Sequence, residues 1–322
     1  MRIHNRLLPL SLLLLAFASC QGPRFHRFAN EEGVGYINSD GALVLPTDWD
    51  DAENFSEGLA LVTVDGLGGW INAQGKEVIP IQYPMAGSFS QGRAVASEDG
   101  KQAGYLDTKG RWAVEPQFLK AGDFSETMAA VEDEEGGAYI DRGGKILFRH
   151  DYDFAGEYHD DRALVVKDGM YGFLSPDGRE VIEVIFPFAQ SFSEGLAMVV
   201  KEGKAGFMDP SGTWVIAPQY DYAGSFQDGR ALVVEDAMAG YVDLRGHEVI
   251  PIGYSWAGDF SEGLAPVEEN DLVAYINKKG ETIIPPRFQY AGNFHNGVAL
   301  VLENNVVKYI NINGETLWEA GE

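Results

Sequence analysis

The sequence predicts an all-β protein, a tandem array of about eight to nine β-meander repeats, each of about 34 residues and three strands. Three marks predict it, and they stay in phase along the chain. The first is the aromatic that opens the motif F-S-E-G, at Phe55, Phe89, Phe124, Tyr158, Phe192, Phe226, Phe260 and Phe294. The second is a small residue followed by an aromatic, from Gly35-Tyr36 and Gly69-Trp70 to Ala274-Tyr275, with Lys308-Tyr309 as a degenerate last copy. The third is a glycine five residues after that aromatic, from Gly41 and Gly75 to Gly314. Fixed periods of this length are the signature of repeat architectures, in which one unit cannot bury its apolar face alone and stacked units can.

A period of 34 also suits a helical repeat, so local chemistry has to decide. Within each unit ALVTV, ALVVK or AMVVK is a short run rich in β-branched residues, which reads as a first strand. A charged or glycine-containing turn follows, then a second short run such as GWIN or GYVD. Next come NAQG, DTKG, DPSG or NKKG, with Asn or Asp first and Gly fourth, which suits a type I turn closed by a left-handed residue. KEVIP, HEVIP or ETIIP is then a third strand, often stopped by Pro, and such Gly and Pro density opposes helices. A connector such as QYDYAGSFQDG leads to the next unit. Ala occupies the same position in every F-S-E-G-x-A copy, from Ala60 to Ala299, and Val, or Ala once, follows two residues on. Period two puts both on one sheet face, so the fixed Ala is expected where neighbouring backbones come close. The motif aromatics and the connector aromatics (Trp49, Tyr83, Phe118 and their equivalents) are expected to supply the buried bulk.

Composition agrees with a packed chain. Of 322 residues 45% are hydrophobic, with 39 Gly, 18 Phe and 14 Tyr, which argues against wholesale disorder. The 24 basic and 49 acidic residues leave a formal charge of −25 with no basic cluster, which excludes nucleic acid as a partner.

The N-terminus reads as an address. MRIHNRLLPLSLLLLAFASC has Arg2 and Arg6, an apolar run from Leu7 to Phe17, and small residues before Cys20, the sole cysteine. The apolar run is shorter than the roughly 20 residues a membrane span needs. FASC resembles the lipobox of bacterial lipoproteins, with Phe17 where Leu is usual, which implies a signal peptide at 1–19 and lipidation at Cys20. Residues 20–23 would then be the lipidated cysteine with a short spacer, and 24–322 the repeat array. The expected location is the bacterial cell envelope, with the body exported and held on a membrane, the outer one, through the lipid anchor alone.

Gly69-Trp70, the turn to Gly75, the I-P strand end and F-S-E-G-L-A together resemble the WG, or KWG, repeat family of β-rich bacterial repeats. The resemblance covers about residues 24–318. It departs in that Trp appears only at Gly69-Trp70, with Tyr or Phe elsewhere, and that Ala138, Ala274 and Lys308 replace the Gly. It implies a binding or scaffold role and carries no catalytic residue set. Two arrangements follow from such units: an open curved or superhelical stack, or a closed ring like a β-propeller. Propeller blades usually have four strands and 40 or more residues. The array also starts and ends with complete meanders, without a borrowed strand to close a ring, so the open stack is the expectation and the ring the alternative.

No metalloprotease, nucleophile-elbow, P-loop or dinucleotide motif is present. His159 and His295 take the Ser position of F-S-E-G four repeats apart, too far to share a metal. Asp151, Asp153 and Glu157 fit a calcium loop only loosely, because apolar residues separate them. The Glu of F-S-E-G recurs in equivalent copies, whereas catalysis needs one unequal site. No cofactor and no metal are therefore expected. Trp112, Trp214 and Trp256 stand outside the regular aromatic pattern and are the candidate ligand contacts. The expected function is a non-catalytic binding or scaffold module for a protein or glycan of the cell envelope. The alternatives are a passive spacer, or a glycan-processing enzyme centred on the most divergent motif, Tyr158-His159-Asp160-Asp161.

Overall fold

The structure, a computed structural model, describes residues 25–30, 33–38 and 41–320. The signal segment and Cys20 lie outside the described residues. Nine small antiparallel sheets follow one another along the chain and form a closed nine-bladed β-propeller. Blade 1 is β1 (Phe25–Asn30), β2 (Gly33–Asn38) and β3 (Leu43–Trp49). Blade 2 is β4 (Asp51–Ala52), β5 (Leu59–Val64), β6 (Leu67–Asn72) and β7 (Glu77–Tyr83), in the spatial order of the chain.

The unit thus holds one strand more than the three expected. Seven of the nine sheets contain a fourth strand drawn from the connector. It escapes sequence reading because in six of them it is two residues long, as at Met85–Ala86 or Tyr222–Ala223, which is too short for a periodic pattern. It also starts one residue after the preceding blade ends, and this economy lets about 34 residues make a full blade.

The expected turns form. In blade 2 the Gly75 N–H donates to the Asn72 carbonyl, Gly75 has φ of 71°, and the Asn72 side chain accepts from the Gln74 and Lys76 N–H groups. F-S-E-G is itself a hairpin tip. Ser56 and Leu59 exchange both backbone hydrogen bonds, and Glu57 and Gly58 between them have φ of 54° and 84°. Two left-handed residues in a two-residue loop define a type I′ turn, whose twist matches that of the flanking strands.

The Gly of Gly-aromatic has a steric cause. Between β6 and β7 the register slips at Gly69, and a Cβ there would lie 2.6 Å from the Ile81 Cα. Gly104, Gly172, Gly206 and Gly240 face equally tight backbone. Blade 4 shows the reverse case. Its second and third strands (Gly136–Asp141 and Ile146–His150) pair straight through this position, Ala138 opposite Arg149, whereas Ala274 of blade 8 is accepted at a slipped register.

Packing runs between blades. The aromatic of each Gly-aromatic pair meets the motif aromatic of the next blade, for example Tyr105 with Phe124, Phe207 with Phe226 and Tyr241 with Phe260, at ring centroids 4.7 to 4.8 Å apart and steeply inclined. Such edge-to-face pairs contribute about 0.5–1.5 kcal/mol each beyond burial. Hydroxyls add a second tie. The Tyr105, Tyr139, Tyr241 and Tyr275 O–H groups donate to backbone carbonyls 17 residues on, at 2.6 to 2.8 Å, and the Trp70 indole does so at 3.1 Å. The repeated Ala is fully buried beside these rings, as expected.

The ring, not the open stack, is what forms. Each turn glycine rests on the third strand of the preceding blade, Gly75 on Leu45, Gly110 on Ile79 and Gly246 on Ile216. Gly41 of blade 1 rests in the same way on Leu317 of blade 9, so tightly that a Cβ there would overlap the Leu317 carbonyl. Across this seam Phe28 packs on Trp318 at 5.8 Å, and the Tyr309 hydroxyl donates to the Arg27 carbonyl at 3.4 Å. No borrowed strand is needed, because a turn glycine rests on the third strand across the seam as it does elsewhere, and Phe28 and Trp318 supply the aromatic contact there.

Candidate functional site

The F-S-E-G turns form a belt that passes from blade to blade on one face of the ring. The hydroxyls of Ser56, Ser90, Ser125, Ser193 and Ser261 each donate to the carbonyl of the next motif aromatic at 2.6 to 2.7 Å. The acid beside them reaches the same turn. Glu57, Glu126, Asp160, Glu194, Asp228 and Glu262 accept from the backbone N–H at the Gly position of the next motif, at 2.7 to 2.9 Å. All eight residues at the acid position are left-handed, with φ between 48° and 56°. That conformation costs a non-glycine residue roughly 1–2 kcal/mol, and a carboxylate accepting an N–H returns about 1.5–3 kcal/mol. The repeated acid is therefore an inter-blade clasp.

A second alternation lies on the belt. After the turn, Arg93, Arg162 and Arg230 stand in blades 3, 5 and 7, and Leu59, Met128, Leu196 and Leu264 in blades 2, 4, 6 and 8. Each Arg reaches a carbonyl in the Asn/Asp-x-x-Gly turn of the following blade, at Arg142, Pro210 and Lys278. Between the turns of blades 6 to 8 lies a shallow open depression of about 260 Å³, lined by Ser193, Glu194, Phe226, Gln227, Asp228, Phe260, Ser261 and Glu262. Before the motif aromatics of blades 4 and 8, burial raises the carboxyls of Asp123 and Asp259. Burial also raises Glu157, with the Asp123 charge adding to it. Asp259 Oδ1 is buried against Gly224 and has no hydrogen-bond partner among the described residues.

A different surface carries exposed aromatics. The first residue of the short connector strand is Phe154, Phe188, Tyr222 or Tyr290 in blades 5, 6, 7 and 9, and Trp256 takes the equivalent place in blade 8, where Ala257 makes only an isolated bridge to Val267; the five are 40% to 53% exposed. In blades 2 to 4 the same place holds Asp51, Met85 and Lys120. Met85, Phe154, Phe188, Tyr222 and Tyr290 occupy one register, opposite Ser97, Val166, Val200, Val234 and Leu302. The next residue is Ala, buried against the preceding blade in most copies. The rings are thus held by a backbone locked into the fold. Phe154 and Tyr290 lie along their own strands: a Cβ on Gly156 would come 3.2 Å from the Phe154 ring, and one on Gly292 3.7 Å from the Tyr290 hydroxyl.

A family model described as WG containing repeat matches eight times, at residues 35–67, 69–101, 104–135, 138–171, 171–204, 206–237, 240–272 and 274–306. The chain belongs to the WG-repeat family. Each match starts in the strand that carries the Gly-aromatic pair of one blade and ends just before or at the start of the corresponding strand of the next, so the WG repeat as a sequence unit straddles two blades. No curated protein matches. Among solved structures, a eukaryotic initiation factor is similar with a TM-score of 0.63 at 12% identity, covering 92% of this chain and 96% of that one. BamB from Moraxella catarrhalis aligns with a TM-score of 0.43 at 13% identity, over 82% of this chain and 94% of that one. The dihydro-heme d1 dehydrogenase NirN aligns at 0.47 and 12% identity, over 85% and 75%. The likeness to the initiation factor shows the fold alone.

The three candidate tryptophans fall in WG blades 3, 6 and 8 and are not brought together. Trp112 and Trp214 are half-buried between blades, edge-on to Tyr83 and Phe186 at 6.2 and 6.3 Å. Trp256 is exposed and belongs to the aromatic row. The rest of that row was missed because the aromatics recurring in every WG repeat are core residues. The available signal was an aromatic two positions after the buried connector aromatic, present in the last five repeats only. His159 and His295 pair with Arg162 and Val298 beside the motif turns of blades 5 and 9. Of the loose calcium set, Asp151 pairs with Lys167 at 2.6 Å, and Asp153 accepts from the Asp168 N–H. Among the described residues no group of three or more His, Cys, Asp or Glu is placed to hold a metal.

Proposed function

We propose that this chain is a non-catalytic recognition scaffold of the bacterial cell envelope, tethered to the outer membrane by a lipid on Cys20 and binding a protein or glycan with the surface of its ring. The observation that carries the reading is the row of exposed aromatics on blades 5 to 9, held at one register by a rigid frame that does not need them. The FASC run before the array supports the tether. The belt supports a non-catalytic role, because its repeated carboxylates are engaged with backbone N–H groups of the next blade and not aimed at open space. The divergent motif is engaged in the same way. The Tyr158 hydroxyl donates to the Ser175 carbonyl and Asp160 accepts from the Gly195 N–H.

The test is capture. Full-length chain, solubilised in detergent, is incubated with envelope extract and, separately, with purified polysaccharides, and bound material is identified by mass spectrometry and glycan analysis. Saturable binding of one partner supports the reading. A turnover activity on envelope glycans that disappears in Asp160→Asn would sink it. Labelling with a radioactive fatty acid, lost in Cys20→Ser, tests the tether.

A further inference from the structure

The exposed row asks for a ligand that repeats. We propose that Phe188, Tyr222, Trp256 and Tyr290, with Phe154 at one end, form a stacking platform for an uncharged polysaccharide chain; this rests on the recognition reading above and names its ligand.

Four observations carry the assignment. First, the rings recur once per blade at equivalent positions. Stacked sheets lie about 10 Å apart, so aromatics on successive blades are separated by a distance of about that order. A small molecule covers one of them, and only an extended polymer reaches several. Second, three of the aromatics have hydrogen-bonding groups beside them, whereas Phe188 packs on the ring of Tyr171 at 5.3 Å. The Lys204–Asp221 pair adjoins Tyr222 in sequence, Lys167–Asp151 stands near Phe154, and Gln289, bonded to Asn305, precedes Tyr290. A protein interface centres on contiguous, desolvated anchors, whereas a sugar presents a flat C–H face for stacking and a rim of hydroxyls for such neighbours. Third, most strands that carry the rings are two residues long, as at Phe188–Ala189, Tyr222–Ala223 and Tyr290–Ala291. A peptide that binds by extending a sheet needs a longer free edge. Fourth, the formal charge of −25 repels polyanions. Single-stranded nucleic acid, the other polymer that stacks on aromatic rows, needs a basic groove beside them.

The arrangement predicts avidity. Each ring contributes little alone, and binding strengthens with chain length until the polymer spans the row. Trp256, with the largest face, is expected to matter most.

Affinity electrophoresis and calorimetry of the full-length chain would use soluble β-1,3-glucan, hydroxyethylcellulose, xylan, dextran and mannan, with alginate as the anionic counter-probe. At least one neutral polymer should bind and alginate should not. Phe188→Ala, Tyr222→Ala and Trp256→Ala should each weaken binding about threefold to tenfold, and the triple variant should abolish it. Met85→Ala, on the opposite arc, should leave it unchanged. Circular dichroism and melting curves keep loss of binding separate from loss of fold. Wild-type binding that survives the triple variant overturns the platform. A protein captured through these aromatics, with no neutral polymer bound, overturns the glycan assignment and keeps the scaffold reading. If neither protein nor polymer binds, both fall.

Discussion

Blades 2 to 4 and blades 5 to 9 share one frame and differ at one surface position. In both arcs the aromatics of neighbouring blades meet near 5 Å, the hairpin tip of F-S-E-G is left-handed, and the repeated Ala is buried. At the start of the connector strand one arc shows Asp51, Met85 and Lys120, and the other an unbroken series of five aromatics. A position that the frame required would be alike all the way round. One that changes by arc is left free by folding, and there a recurrent residue type needs another cause. Within a repeat protein, uniformity therefore marks the core, and regional regularity marks surface use.

This contrast can be broken from the core side first. Phe226→Ala empties a fully buried position that packs on Phe207, and should lower stability by about 3–5 kcal/mol in urea titration. Tyr222→Ala, four residues away and half exposed, should stay within about 0.5 kcal/mol. Equal effects would mean that the exposed row is part of the frame after all. A smaller effect separates the straight blade from the slipped ones. Gly240→Ala brings a Cβ to 2.7 Å from the Ile252 Cα and should cost about 1–3 kcal/mol. Ala138→Gly, where the strands pair straight, should cost only about 0.5–1 kcal/mol, from lost backbone restriction.

Hydroxyl ties rank next. Tyr241→Phe leaves the Gly258 carbonyl without its 2.6 Å donor and should cost about 1 kcal/mol. Phe173 and Phe207 already lack this donor, so Phe207→Leu should show a packing loss alone. Asp259→Asn is the smallest and is pH-dependent. Burial raises the folded carboxyl above its unfolded value, so the folded chain binds the proton more readily, and ionisation costs stability as pH rises through that raised value. The variant should be more stable than wild type at pH 7, where the wild-type carboxyl must ionise in its buried place. The gain should fade as pH drops toward the ordinary carboxylate value near 3.9. Asn293 already fills the equivalent place in blade 9.

Much of this frame was legible because its causes are local. Asn72 to Gly75 dictates a turn, and the alternation of Ala60 and Val62 dictates a face. Closure was less so. Gly41 looks like every other turn glycine, and although Phe28 stands where other units have Val or Ala, and Trp318 where they have Leu, Ile, Val or Phe, nothing in a linear string tells the last repeat that it will meet the first. The fourth strand was hidden by its brevity, and its two-residue pairing becomes visible only beside the strand it joins. The clasp of Glu57 to Gly92 was hidden differently. Repetition of the acid argued correctly against a unique reactive group, but a partner 35 residues away in the next turn is a matter of stacking and not of motif. At the candidate surface, Trp256 stood out by its identity, whereas Phe188 and Tyr222 look like core until their backbone register is known.

The arginine alternation carries a consequence of parity. Arg93, Arg162 and Arg230 mark every second blade, so the natural building block in this part of the chain is a pair. Nine is odd, and a two-coloured pattern cannot run round an odd circle without two like neighbours. Here the mismatch falls at blade 9, where Val298 stands in place of the next Arg and where the first blade is met. The ring thus has a distinguishable joint, a built-in origin from which its otherwise similar blades can be counted.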